Sequence, residues 1–275
     1  MNFFARAANG WNIAKSSYRL LTTNKILLIF PLLSGLSILL IFALILAPVP
    51  TFNSSILNWV FTQSRMVGAF YVFLYYLFNY FVILFFNVGL VHCVSSHFDG
   101  NEVSVKSGMA HSFTRLGSIF SWTVFAATIG TFLHLIEEYF GSVGKLVTSI
   151  IGIIFNVASF FVLPILAYEN IKPLKAFRRS AQLMKEKWGE ASGANFNFLF
   201  VQFISCIFIS IIAVTIGTFI SVNGGIAVAV IGILFLVTVT SAVRTIFITS
   251  IYKNITGKFQ EQYEQKFIDN LFIIK

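Results

Sequence analysis

Charge is what this chain has least of. Asp, Glu, Lys and Arg make up 11% of its 275 residues, against about 25% in an ordinary soluble domain. Apolar residues account for 57%, including 33 phenylalanines, and a water-soluble fold of this length cannot hide that much apolar surface. The scarcity excludes a soluble enzyme. It points to an all-α integral membrane protein, long enough for one bundle and without room for a separate soluble domain. Cysteine is equally sparse: Cys93 and Cys206 imply no disulfide framework and read as packing residues. No nucleophile elbow, P-loop or Cys/His metal spacing occurs, and Gly224–Gly225 is a turn signal.

Six uncharged runs remain, about 26–47, 69–91, 116–135, 146–167, 196–220 and 226–243. The first, at 22 residues, makes about 33 Å of helix, enough to cross a bilayer. None of the six contains Asp, Glu, Lys or Arg. That absence argues against proton relays and many ion-coupled sites, which use intramembrane ionisable groups. The loop 48–68 is polar, with Ile56–Phe61 expected on the interface, and the tail 244–275 has a helical stripe through Tyr252, Ile255, Phe259, Tyr263 and Phe267.

The charges that exist are placed unevenly. Seventeen Lys and Arg fall in the N-terminal segment, alternate loops and tail, against two in the intervening loops. This bias puts both termini in the cytoplasm. It also accounts for the net charge of +9 as topology and attraction to anionic lipid, so no nucleic-acid partner is expected.

Basic amphipathic helices precede the spans in pairs. In Lys172–Gly189, Leu174, Phe177, Ala181, Met184 and Trp188 form an apolar stripe opposite Lys172, Lys175, Arg178, Arg179, Lys185 and Lys187. Such a helix is expected in the membrane interface with its apolar face among acyl chains. Residues 4–21 repeat the pattern through Trp11, Ala14, Tyr18 and Leu21, with Lys15 and Arg19 opposite; residues 103–116 do so more weakly through Val105, Met109, Phe113 and Leu116. Each segment begins near an Asn and reaches a Lys five or six residues on. The chain therefore divides into three units of interfacial helix plus transmembrane hairpin, 1–91, 92–167 and 168–243, with a cytoplasmic tail from 244 onward. Units running in one direction differ from the inverted repeats common in secondary transporters.

Several blocks carry a likeness: Trp11–Leu21 leading into Pro31-Leu32, Phe85–Val91, Leu135–Val147 and Val162–Glu190. Together they resemble a family of small six-span bacterial membrane proteins known only as a domain of unknown function. The resemblance implies a location in a bacterial cytoplasmic (inner) membrane and brings no catalytic residues. The Pro173–Ala176 helix leading into a span is also distantly similar to the membrane domains attached to some glycerophosphodiester phosphodiesterases.

Two constellations bear on chemistry. His134, Glu137 and Glu138 share a helix face, but one imidazole and two carboxylates are too few for zinc. They read as outer-surface charges pairing with Arg65 or Lys145. Asn79, Asn87, Asn156, Asn197 and Gln202 are neutral polar groups in or beside the spans. Such groups hydrogen-bond between helices for about 0.6–2 kcal/mol each, or alternatively line a cavity. The expectation is a non-enzymatic protein of membrane organisation, lipid contact or partner assembly, without cofactor or metal. Lys15, Arg19, Lys172, Lys175, Arg178 and Arg179 would meet lipid headgroups, and a protein partner or homo-oligomer is allowed. The alternative is a small-molecule or lipid transporter with a neutral polar central cavity.

Overall fold

The computed structural model describes residues 3–46, 65–186 and 188–257, and all regular structure among them is helical. The loop 47–64 and the tail 258–275, with the expectations placed on Ile56–Phe61, Phe259, Tyr263 and Phe267, lie outside the described residues. Helix α1 (Phe3–Thr23) turns by 100° through a 3-10 turn at Lys25–Leu28 into α2 (Ile29–Leu46). Then come α3 (Arg65–Phe98), the short α4 (Val105–Thr114) and α5 (Leu116–Ala158). They are followed by α6 (Val162–Tyr168), α7 (Pro173–Glu186), α8 (Trp188–Phe219) and α9 (Val222–Thr256).

Four of these helices, within α3, α5, α8 and α9, are long and apolar enough to cross a membrane; the bent α1–α2 pair makes a fifth if counted as one. Only 6% of the most apolar window of α8 is buried inside the protein. Phe203, Phe208 and Ile211 there, like Ile231 and Phe235 on α9, point outward. Surface of this kind is covered by lipid, and the chain is a multi-pass membrane protein.

The six expected crossings do not map one-to-one onto these helices, and α5 explains part of the difference. Its helical hydrogen bonding runs for 43 residues, but Gly141 sits inside it at φ 54°, ψ −127°, a conformation open to glycine alone. Thr148 Oγ1 donates to Glu137 Oε1 across this point. Eleven residues of straight helix would hold those side chains about 16 Å apart, so the chain doubles back at Gly141.

Helix α9 also differs from expectation. At 35 residues it is about 52 Å long, against a hydrocarbon core of about 30 Å. Residues assigned from sequence to a cytoplasmic tail are its buried end: Ile246, Phe247, Ile251, Tyr252 and Lys253. Gly224 and Gly225, expected in a turn, lie in its first turn, where Ser221 Oγ accepts from Gly224 N at 3.0 Å. A Cβ on Gly225 would stand 2.6 Å from Ala213 O, so the glycine is there for close approach of α8 and α9.

The amphipathic helices bury only part of their apolar stripes, Ala14 and Leu21 on α1 and Met184 on α7 among them. On α4 the buried residues are Gly108 and Ser112, while Phe113 and Leu116 are exposed. On α7 they are Ala176, Ser180, Leu183 and Met184, with Leu174 exposed. On α1 they are Gly10, Ile13, Ala14, Ser17 and Leu21. Small residues four apart thus make the seam in each. Small residues let the backbones approach closely there, beside larger buried side chains such as Leu183 on α7 and Ile13 on α1. Ser112 Oγ donates to Phe85 O at 2.7 Å, and Ser180 Oγ accepts from Phe161 N at 2.9 Å. Helix α4 packs on α3, α7 on α5 and α6, and α1 on α8 and α9.

These contacts make two kinds of glycine testable. A Cβ on Gly108 would lie 2.5 Å from Phe30 Cζ and 2.8 Å from Gly89 O. Gly108→Val should therefore lower stability by about 1–3 kcal/mol, and Gly141→Ala by a similar amount through strain. Gly117→Ala, with open space around it, should leave the melting temperature in detergent unchanged or slightly higher. Equal melting of all three variants would contradict this packing.

Candidate functional site

A half-open cavity of about 400 Å³ lies between α3, the end of α5 with α6, α8 and α9. Its polar wall is Asn87 from α3, Asn156 and Ser159 from the α5 end, Gln202 from α8, and Thr240, Ser241 and Arg244 from α9. Tyr80, Leu84, Phe160, Leu163 and Ile248 supply apolar surface. Three of the five neutral polar residues singled out in the sequence, Asn87, Asn156 and Gln202, thus meet at one site. Asn79 turns back to its own helix, donating to Tyr75 O at 2.8 Å. Asn197 is buried elsewhere, and its Oδ1 has no hydrogen-bond partner. The Oδ1 of Asn87 is likewise buried without a partner, which costs about 1–3 kcal/mol.

Arg244 is the residue that sequence reading missed. It follows the sixth apolar run directly and was counted with the tail. The continuation of α9 makes it part of the cavity wall, with its guanidinium carbon 5.7 Å from the centroid of the Phe160 ring. Among the described residues no carboxylate lines the cavity and Arg244 forms no ion pair.

Beyond the cavity, the helix ends meet in a polar junction. Lys253 is 3% exposed; its ammonium donates to Ser95 O at 3.0 Å and to the carboxylate of Asp99. Tyr252 donates to Glu169 Oε1 at 2.8 Å, and the guanidinium of Arg179 stands 3.7 Å from that oxygen. Tyr168 stacks on Tyr252 with ring centroids 6.4 Å apart. Burial pushes its hydroxyl up to about 12, so the phenol stays protonated. His111 stacks on His92 at 4.3 Å and places Nε2 2.9 Å from Ala167 O, which puts its proton on that nitrogen. Burial lowers the His111 imidazole below its usual value, and Arg115 adds to this while the Ala167 carbonyl opposes it.

The basic residues assigned to lipid contact divide. Lys15, Arg19, Lys172, Lys175 and Arg178 are exposed, whereas Arg179 is half-buried against Glu169. The Glu137 carboxylate is engaged by Thr148. Among the described residues no three His, Cys, Asp or Glu side chains come together as metal ligands would. Both cysteines are free, Cys93 buried and Cys206 exposed.

The chain belongs to the family of unknown function DUF6159, whose model matches residues 66–265. No curated protein and no solved structure matches it, and nothing supports the likeness to the membrane domains of glycerophosphodiester phosphodiesterases.

The junction has an asymmetry that mutagenesis can read. Lys253 is buried, while the Asp99 side chain is 32% exposed. Asp99→Asn removes a counter-charge from a buried ammonium and should cost about 3–5 kcal/mol. Lys253→Met leaves a carboxylate that water can reach and should cost clearly less, as compared by melting in detergent. The His111 shift sets a pH limb. Its folded value lies below the unfolded value of about 6.5, so its contribution is complete above pH 6.5 and is lost as pH falls through that value toward the lower folded one. Acidification from pH 7.5 should lower the melting temperature in this window, and His111→Gln should flatten the loss.

Proposed function

We propose that this protein crosses a bacterial cytoplasmic membrane six times with both termini inside, and acts without catalysis by holding an anionic amphiphile in the cavity at Arg244. The crossings are α2, α3, the two limbs of α5 on either side of Gly141, α8 and α9. The bias of seventeen basic residues to two supports the orientation. With that orientation Arg244, which directly follows the sixth apolar run, would lie at headgroup level on the cytoplasmic side. The observation that carries the reading is an arginine in a half-open cavity whose wall, among the described residues, contains no acid. The wall offers amides, hydroxyls and one guanidinium, and no imidazole, thiol or carboxylate, which suits binding better than bond-breaking. Around this site, Lys172, Lys175 and Arg178 on the exposed side of α7 would add surface attraction for anionic lipid, about 1 kcal/mol each.

The neutral amides of Asn87, Asn156 and Gln202 in the same wall favour one second reading, passage of a lipid or small molecule through the cavity. The two readings differ in flux. Purified full-length protein should retain anionic lipid through detergent exchange, as seen by native mass spectrometry. Arg244→Gln should reduce that retention at least tenfold, while Lys172, Lys175 and Arg178 changed together to Ser should weaken only vesicle-surface binding. Unaltered retention in Arg244→Gln would sink the proposal. Lipid movement between leaflets of proteoliposomes, absent from empty ones, would favour transport over holding.

A further inference from the structure

Two inner walls of the cavity repeat one another in sequence, and the third corresponds to them by position. Helix α3 carries Phe86-Asn87-Val88-Gly89, the end of α5 carries Phe155-Asn156-Val157-Ala158, and α9 carries Val239-Thr240-Ser241-Ala242. Asn87, Asn156 and Thr240 all face the cavity. From them, 11, 12 and 12 residues lead to Phe98, Tyr168 and Tyr252, each followed by a charge: Asp99, Glu169 and Lys253. Those are the groups that meet in the junction, through the Lys253–Asp99 pair, the Tyr252–Glu169 hydrogen bond and the Tyr168–Tyr252 stack. The flanking helices follow the same rule. Helix α4 of the second unit docks on the first (α3), α7 of the third on the second (α5–α6), and α1 of the first on the third, chiefly on α8 and also on α9. The units are therefore arranged as a closed ring of three around the cavity.

This repeat makes Arg244 an exception. It stands four residues after Thr240, and the residues four after Asn87 and Asn156 are Val91 and Phe160. Both are buried apolar side chains, at 0% and 6% exposure. Two of three equivalent positions serve packing, and the third carries a guanidinium lying over its own equivalent, Phe160, at 5.7 Å. A charge near the hydrocarbon is costly and is held for a counter-charge, yet no acid lines the cavity. Among the described residues the wall supplies no counter-charge, which leaves the place open to a ligand.

The wall also limits which ligand. One guanidinium matches one phosphodiester through two parallel hydrogen bonds. A second phosphate, or the second charge of a phosphate monoester, would meet no further cation in this wall. Asn87, Asn156, Gln202, Thr240 and Ser241 are neutral donors and acceptors, which suit hydroxyls. Resting on the reading of the cavity as an amphiphile site, we propose that its ligand is a lipid with a single phosphodiester and a hydroxyl-bearing headgroup. Arg244 takes the phosphate and the Asn87–Asn156–Thr240 ring takes the hydroxyls.

The test uses full-length protein in detergent, with wild type, Arg244→Gln, Arg244→Lys and Asn87→Leu compared by native mass spectrometry. The probes are phosphatidylglycerol, phosphatidic acid, cardiolipin and phosphatidylcholine of matched chains, with inorganic phosphate as competitor. Phosphatidylglycerol should be retained at least tenfold over phosphatidylcholine and several-fold over phosphatidic acid and cardiolipin. Arg244→Gln should abolish the first preference, Arg244→Lys should keep part of it, and Asn87→Leu should narrow the second. Cardiolipin or phosphatidic acid winning, with the preference still lost in Arg244→Gln, would overturn the headgroup class and leave the amphiphile site standing. Displacement by millimolar phosphate would likewise overturn the lipid class in favour of a free anion. Equal retention of charged and zwitterionic lipid, or a preference untouched in both Arg244 variants, would overturn both readings.

Discussion

The Lys253 ammonium is the constraint around which the inner helices are arranged. A lysine at 3% exposure is tolerable only with its charge and its donors matched. The matching groups, Asp99 and the Ser95 carbonyl, stand at the far end of α3. The contact spans 154 residues of sequence and ties the last described helix to the end of α3. Tyr252, next to Lys253, draws in Glu169 at the end of α6, and Glu169 in turn holds Arg179 of α7. One buried charge thus gathers helix ends from all three units.

Pinning rigid helices at one end decides what happens further along them. Further along α3 and α9, and back along the chain from Glu169 to the end of α5, Asn87, Thr240 and Asn156 line the cavity. The convergent ends carry the buried core, with Phe98, Phe161, Ile165, Phe247 and Tyr252 nearly free of exposure. Arg244 lies between the two regimes. It is close enough to the core to rest on Phe160 and far enough out to face open space. The polar cavity and the ionic junction are two consequences of one helix arrangement.

Much of this was legible in the residues. Low charge and long apolar runs reflect the bilayer as solvent, and that one-dimensional constraint is written directly into composition. The cavity residues Asn87, Asn156 and Gln202 stood out because polar side chains in apolar runs need partners or a purpose. Arg244 did not stand out, because a window for uncharged residues ends a span at the first charge, while α9 continues for another twelve residues. The repeated Phe-Asn-Val-Gly and Phe-Asn-Val-Ala at Phe86 and Phe155 was the available signal, and its third copy is too altered to recognise without the helices in place. The apolar stripes of α1, α4 and α7 were expected among acyl chains, so no face for docking on the other helices was read from them. In lipid, small residues such as Gly108, Ser112 and Ser180 make the seam instead.

The sequence by itself determined the solvent of this protein and its helical class, and it carries the uneven spread of positive charge along the chain. Each of these is a local or compositional property. Tertiary structure alone decided that Gly141 reverses a helix, that Lys253 is neutralised by Asp99, and that Arg244 joins Asn87 and Asn156 in one wall. Those pairings join residues far apart in the chain. Their energies depend on which helix ends meet, and that is settled by small-residue packing and one buried ammonium that no local pattern encodes.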